Sequence, residues 1–387
     1  MIFFLLTAFA LLSLCPLSVE AETEVKTEGE AELPSTDTVP EEFSDLLTAL
    51  PEDVRALLPD ALFQAEVSEV GEGVGQISDF SYLMQAVLDT VGICLPDCLA
   101  LLSTLLGLLL LSAVFSVLRT SLKSESVGRA FSLISSLAIL SAILAKGYDS
   151  IQTVNTYLTH LRHLTAASVP LLGVLYSIGG NVTAAVASTG GLTVYLYLME
   201  HLIGKTVIPF CGICLAFGFV SSSAMGLRLG SFLATLKKNY TTLLAFLMML
   251  LLAMLSAQTL LGASADSLAM RGVRFAVGNL IPVVGGSVAE LLRTVSAGVG
   301  YLRGALGICG ILLILLLLLP TLIRLLLLRA VWQLAASVAE LLNCDAEKRL
   351  LEEIASLNGY LIAAVSICSS VLLLSFTLLA RCASAIG

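Results

Sequence analysis

Charged side chains make up only 13% of this 387-residue sequence, against about 25% in an ordinary soluble domain. Hydrophobic residues make up 57%, and the mean hydropathy is +0.97. A soluble enzyme of two or three domains is excluded on that ground, although the length alone would accommodate one. Strict in–out alternation is also missing. The apolar runs are continuous, which excludes an outer-membrane barrel. Histidine is limited to His160, His163 and His201. His160 and His163 stand at i, i+3 with no third ligand beside them, so they read as a wet helix face and not as a metal site. No HExxH, GxSxG or Walker A motif occurs, so any ATP drive would have to come from another subunit. Cys211 and Cys214 have CxxC spacing but no second pair and no neighbouring histidine. In an apolar run they read as small packing side chains. No enzymatic activity, cofactor or metal is expected.

The charge that is present is unevenly placed. Residues 20–79 hold 17 of the 29 acidic residues and only two basic ones, Lys26 and Arg55. Residues 80–387 carry a net charge of +6. An acidic aqueous tail is thus joined to a mildly basic membrane body. Such a tail repels nucleic acid and anionic headgroups, so no nucleic-acid partner is expected.

Residues 2–14 form an apolar run of signal-peptide length, and Val19-Glu20-Ala21 offers a small-residue cleavage site. The basic leader segment is missing, and Leu14 before Cys15 is too large for lipid attachment. The expected organisation is a signal peptide over 1–21, an exported acidic region over 22–90 and a multi-span membrane domain over 91–387. Residues 20–42 are polar and aperiodic, as disordered segments are. From Phe43 the apolar positions Leu46, Leu47, Leu50, Val54, Leu57, Leu58 and Leu62 recur at helical spacing. An amphipathic helix or helix pair is expected over 43–65, divided at Pro51 and Pro59 and packed on the body or on a partner. Gly71, Gly73 and Gly75 read as a flexible joint.

In the body, 97–118 and 130–146 are spans of membrane length. The loop between them carries Arg119, Lys123 and Arg129 against Glu125, and the positive-inside rule places it in the cytoplasm. Residues 147–165 read as an interfacial helix. Further spans are expected at 241–262, 304–323 and 358–380, with amphipathic stretches at 264–303 and 330–357. At least six membrane-crossing elements result. The fold class expected is therefore all-α, a polytopic membrane protein. Pro170, Gly179-Gly180, Gly190-Gly191, Pro209 and Gly212 interrupt residues 166–222, which predicts broken or re-entrant helices; such backbone is tolerated only in protein or against water.

Glu200-His201, followed by Lys205, falls inside an apolar stretch. Three ionisable groups there point to a water-filled path for an ion or polar solute, or else to a Glu200–Lys205 pair at an interface. Asn279, Pro282, Gly285 and Gly286 describe a helix break whose free backbone dipoles could hold a solute, or a turn between two interfacial helices. Gly226-xxx-Gly230 and Gly300-xxx-Gly304 permit close helix packing. Arg271, Arg274, Arg293 and Arg303 give one segment a basic face.

The run Arg274-Phe-Ala-Val-Gly-Asn-Leu-Ile-Pro-Val-Val-Gly-Gly-Ser-Val-Ala-Glu290, with the Leu-rich span ending at Pro320 and the stretch from Trp332 to Leu342, resembles the stage III sporulation protein AE family of endospore-forming bacteria. The resemblance covers roughly 40–387 and is sharpest over 270–342. It implies a permease-like membrane component of a sporulation-specific channel complex linking mother cell and forespore. It also implies residence in the mother-cell membrane around the forespore, with lipid and other membrane subunits as partners, an ATPase subunit among the candidates, in an oligomeric assembly. A stand-alone secondary transporter of a small polar solute is the alternative. An integral-membrane enzyme using Glu200 and His201 is a third reading, which no motif supports.

Overall fold

The computed structural model describes residues 39–64, 67–121, 125–178, 182–198, 204–222, 231–232, 234–243, 245–246, 249–250, 253 and 285–384. Among them every regular element is a helix. The chain is a polytopic α-helical membrane protein. Among the described residues four stretches are long and apolar enough to cross a bilayer: Ser81–Val114, Gly147–Ile178, Gly298–Leu341 and Glu347–Ala380. Much of 166–222 is described, whereas the expected span at 241–262 falls largely outside the described residues, as does the first half of the amphipathic stretch expected at 264–303.

The N-terminal region forms a cap. Helix α1 is Glu41–Thr48, α2 is Glu52–Arg55, and a 3-10 turn covers Asp60–Phe63. Pro40, Pro51 and Pro59 sit at the three N-cap positions with ψ of 141°, 151° and 144°. Proline fixes φ there without removing a helical hydrogen bond. Phe43, Leu46, Leu47, Leu50, Val54, Leu58 and Leu62 are all buried, as their spacing predicts, while Leu57 is exposed. Their partners come in part from the body, because α1 packs against the long helix Glu125–Ile178. Arg55 donates to the carbonyls of Thr48 and Leu50, closing the end of α1.

The three glycines are not a joint. They lie within helix α3, Val67–Ser78. A Cβ on Gly71 would stand 2.5 Å from the Tyr301 hydroxyl, and one on Gly73 would stand 3.0 Å from Leu62. Glycine is used here for close approach, which outweighs its low helix propensity.

The body is built from long helices: α4 (Phe80–Ser121), α5 (Glu125–Ile178), α8 (Gly285–Leu341) and α9 (Asp345–Ser384). At 1.5 Å per residue they measure about 63, 81, 86 and 60 Å, against a hydrocarbon core of about 30 Å. Shorter α6 (Val182–Leu198) and α7 (Gly204–Ser222) pack beside them. Several expected breaks are absent. Residues 147–165 continue into the apolar stretch after them as part of α5, and Pro170, Gly190 and Gly191, and Pro209 all lie inside helices. Membrane helices tolerate such residues because neighbouring helices, Ser/Thr side chains or ordered water can satisfy the backbone groups they free.

Residues 330–357 are not one amphipathic helix either. The chain reverses within them, at 342–344. Asn343 has φ 57°, its N–H bonds the Glu340 carbonyl at 3.1 Å, and the Cys344 N–H bonds the Ala339 carbonyl at 2.9 Å. This is a Schellman turn with asparagine in the left-handed position. Cys344 and Ala339 meet in the core, as that motif requires.

Among the described residues the resulting α8–α9 hairpin is the most closely packed part. A Cβ on Gly307 would stand 2.9 Å from Ala380, and one on Gly310 would overlap the ring of Phe376. The cores divide along the axis. The upper one joins the cap, α5, α6 and the Leu-rich half of α8 to α9 beyond Leu357. The lower one joins Cys98, Leu101, Leu105 and Leu109 of α4 to Leu328–Ala339 and Cys344–Ala355 of the hairpin.

Candidate functional site

Where α9 leaves the lower core, polar side chains from three elements converge inside the bundle. Lys237, in the helical segment 234–243, is 6% exposed and pairs with Glu353 of α9. Ser356, one turn on, lies 3.5 Å from the same ammonium. Next to this pair, Phe210 of α7 stacks on Tyr240 at 4.3 Å and meets Tyr360 of α9 at 5.4 Å. Tyr240 and Tyr360 are edge to face at 5.8 Å. Thr206 and Tyr240 share a hydrogen bond. Cys211 and Cys214 are free, buried thiols on the same face of α7. Removing one partner of a desolvated ion pair is costly, and the elements that carry this one are joined by the three aromatic rings.

Other polar contacts, some buried and some at the surface, pin the helices to one another. Tyr157 and Ser369 share a hydrogen bond of 2.6 Å, and Tyr195 donates to the Cys368 carbonyl at 2.7 Å. Arg324 pairs with Asp149 at 2.8 Å. Ser112 donates to Glu347 at 2.8 Å and fixes the level of α4 on the hairpin. Arg303 is not part of an exposed basic face. It is fully buried and donates to the Leu175 and Tyr176 carbonyls at 2.7 and 2.8 Å. Those carbonyls lie in the last turn of α5, where a cation complements the helix dipole. Burial, and after it the Glu347 carboxylate, push the Cys344 thiol above its ordinary value, so it stays neutral.

A groove of about 670 Å³ opens between α8 and α9. Arg329, Gln333 and Ser337 line it from α8, together with Glu340. Glu352, Ser356 and Gly359 line it from α9. Lys348 contacts Glu340 at 3.0 Å and Glu352 at 3.8 Å.

Of the residues singled out in the sequence, Glu200, His201, Asn279 and Pro282 lie outside the described residues, as do Gly226 and Gly230. Lys205 is in the first turn of α7, and its side chain is likewise outside them. Gly285 and Gly286 open α8, at the C-terminal edge of the expected break. Gly300 and Gly304 lie on α8, and the tightest approaches occur just beyond them at Gly307 and Gly310. Among the described residues no three His, Cys, Asp or Glu side chains gather as metal ligands would. The Lys237–Glu353 pair was not singled out, since both residues sit in charge clusters that read as helix ends. A lysine flanked by apolar runs on both sides was the available signal.

The family model described as stage III sporulation protein AE matches residues 63–385. A relative described as stage III sporulation protein AE, from Bacillus subtilis (strain 168), is 26% identical over 358 residues, which cover 89% of this chain and 85% of the relative. No solved structure matches the chain.

Proposed function

Since the chain belongs to the stage III sporulation protein AE family and so has a role in sporulation, we propose that it is the permease-like membrane subunit of a channel complex linking mother cell and forespore. The observation that carries this reading is the desolvated Lys237–Glu353 pair among apolar helices. Ionisable groups inside membrane helices face partners, cavities or solute paths, and rarely serve insertion. In this reading the protein is not an enzyme. It works in an oligomer with other membrane subunits, and an ATPase subunit supplies any ATP drive. The acidic N-terminal region follows a signal peptide and lies outside the cytoplasm. The 119–129 loop and the turn at 342–344 lie inside it, since α4 carries the chain from the cap end to the opposite end.

The second reading, a stand-alone secondary transporter, draws on the polar groove between α8 and α9. Deleting the gene in its host and scoring growth and spore maturation separates the two. A defect confined to engulfed forespores, restored by the wild-type gene, supports the channel subunit. A growth or uptake defect in vegetative cells refutes it in favour of the transporter.

A further inference from the structure

The α8–α9 groove runs toward the turn at 342–344 and carries charge on both walls. Helix α4 covers the other side of the same hairpin with Cys98, Leu101, Leu105 and Leu109, and Ser112 bonds Glu347 at the hairpin's base. On its outward side α4 exposes Leu99, Leu110, Leu111, Val114 and Val117. That face belongs against acyl chains, whereas the groove across the hairpin is lined with charged and polar side chains. Glu340 and Glu352 have side chains 64% and 57% exposed. Charges so placed require water or a polar occupant, because hydrocarbon offers them no partner.

The lining has two poles. At one end the Arg329 guanidinium rests on Gly359, where an added Cβ would stand 2.8 Å from Nη1. Among the described residues no carboxylate pairs with Arg329. Glu352 lies seven residues before Gly359 on α9, about 10 Å along the axis. Lys348 pairs closely with Glu340 and only loosely with Glu352. Between the poles, Gln333, Ser337 and Ser356 offer one amide and two hydroxyls. A guanidinium binds a carboxylate in a bidentate fork, and a carboxylate accepts from an ammonium. A single amino acid is too short to reach both poles, whereas three extended residues span about 10 Å.

We propose that this groove binds an extended zwitterion of tripeptide length, its carboxylate on Arg329 and its ammonium beside Glu352, with its peptide groups on Gln333, Ser337 and Ser356. The proposal deepens the permease-like reading and rests on it for its biological meaning.

The test is calorimetric titration of the full-length protein in lipid nanodiscs with triglycine, N-acetyl-triglycine and triglycine amide. Triglycine binds, and each blocked form binds about ten-fold more weakly or worse, the worth of one charged hydrogen bond. Arg329→Gln removes the preference for a free carboxylate, and Glu352→Gln removes the preference for a free ammonium. Gly359→Ala displaces only the tip of a flexible arginine, so it weakens triglycine while the protein stays folded, as judged by the emission of Trp332, the single tryptophan, which is fully buried. No binding of triglycine, equal binding of all three peptides, or unchanged preferences in folded variants overturns the proposal. A forespore-confined defect on deletion without peptide binding refutes the groove and leaves the channel reading standing. Peptide binding without a sporulation defect does the reverse.

Discussion

Replacing Lys237 by methionine should be far more damaging than the change in volume suggests. The substitution keeps most of the side-chain length, so little packing is lost. It leaves the Glu353 carboxylate without its cation, and Ser356, 3.5 Å from that ammonium, is no substitute for the charge. Stripping one partner from a buried pair typically costs about 3–5 kcal/mol. Here the Glu353 side chain retains 24% exposure, so solvent relieves part of the penalty and about 2–3 kcal/mol is expected. Lys237→Met/Glu353→Met removes both charges, and its stability should return to within about 1 kcal/mol of wild type. The measurement is reversible unfolding in mixed detergent micelles with rising SDS, followed by Trp332 emission. The double-mutant cycle then gives the coupling. A Lys237→Met variant within about 0.5 kcal/mol of wild type, or a double variant that merely sums two losses, would refute the claim of a desolvated, coupled pair. Complementation separates stability from role. If the pair serves only packing, the double variant should restore sporulation along with stability. If it lines a working path, the variant should be stable and fail to sporulate.

Gly310→Ala should cost about 1–3 kcal/mol despite alanine's better helix propensity, because the methyl group meets the fully buried Phe376 ring; Gly310→Ala/Phe376→Leu should recover part of the loss in the same assay. Asn343→Gly should be neutral or slightly stabilising, whereas Asn343→Val should lose about 1–2 kcal/mol and shift the SDS unfolding midpoint accordingly, since a branched residue is strained at φ 57°. Reporter fusions at Glu72 and Glu125 should score on opposite sides of the membrane, and same-side results would sink the assigned orientation.

Much of the cap could be read in advance because its rules are local. Hydrophobic spacing named its buried positions, and the prolines named its helix starts. Gly71 and Gly73 misled for the opposite reason. A glycine cluster reads as flexibility unless one knows that Tyr301, some 230 residues away, comes to rest against it. The hairpin turn was hidden in the same way. Asn343 stands where glycine would have signalled a stop, and the charges on either side continue one amphipathic pattern across the reversal. Of the candidate site, the ion pair and the groove depend on which helices become neighbours. Leu-rich helices, apolar all round, carry no facing signal that would say so.

The unbroken length of α8 has a mechanical consequence. Gly310 is held on Phe376 near the middle of the helix, and Asn343 ends the helix 33 residues further on, about 50 Å away. No loop interrupts that distance. With Gly310 as the pivot, a tilt of about 6° would carry the tip about 5 Å. The cap, through Gly71 against Tyr301, bears on the short arm. Tyr301 lies nine residues, about 14 Å, before Gly310, so a small displacement of the cap would reach the far tip magnified several-fold.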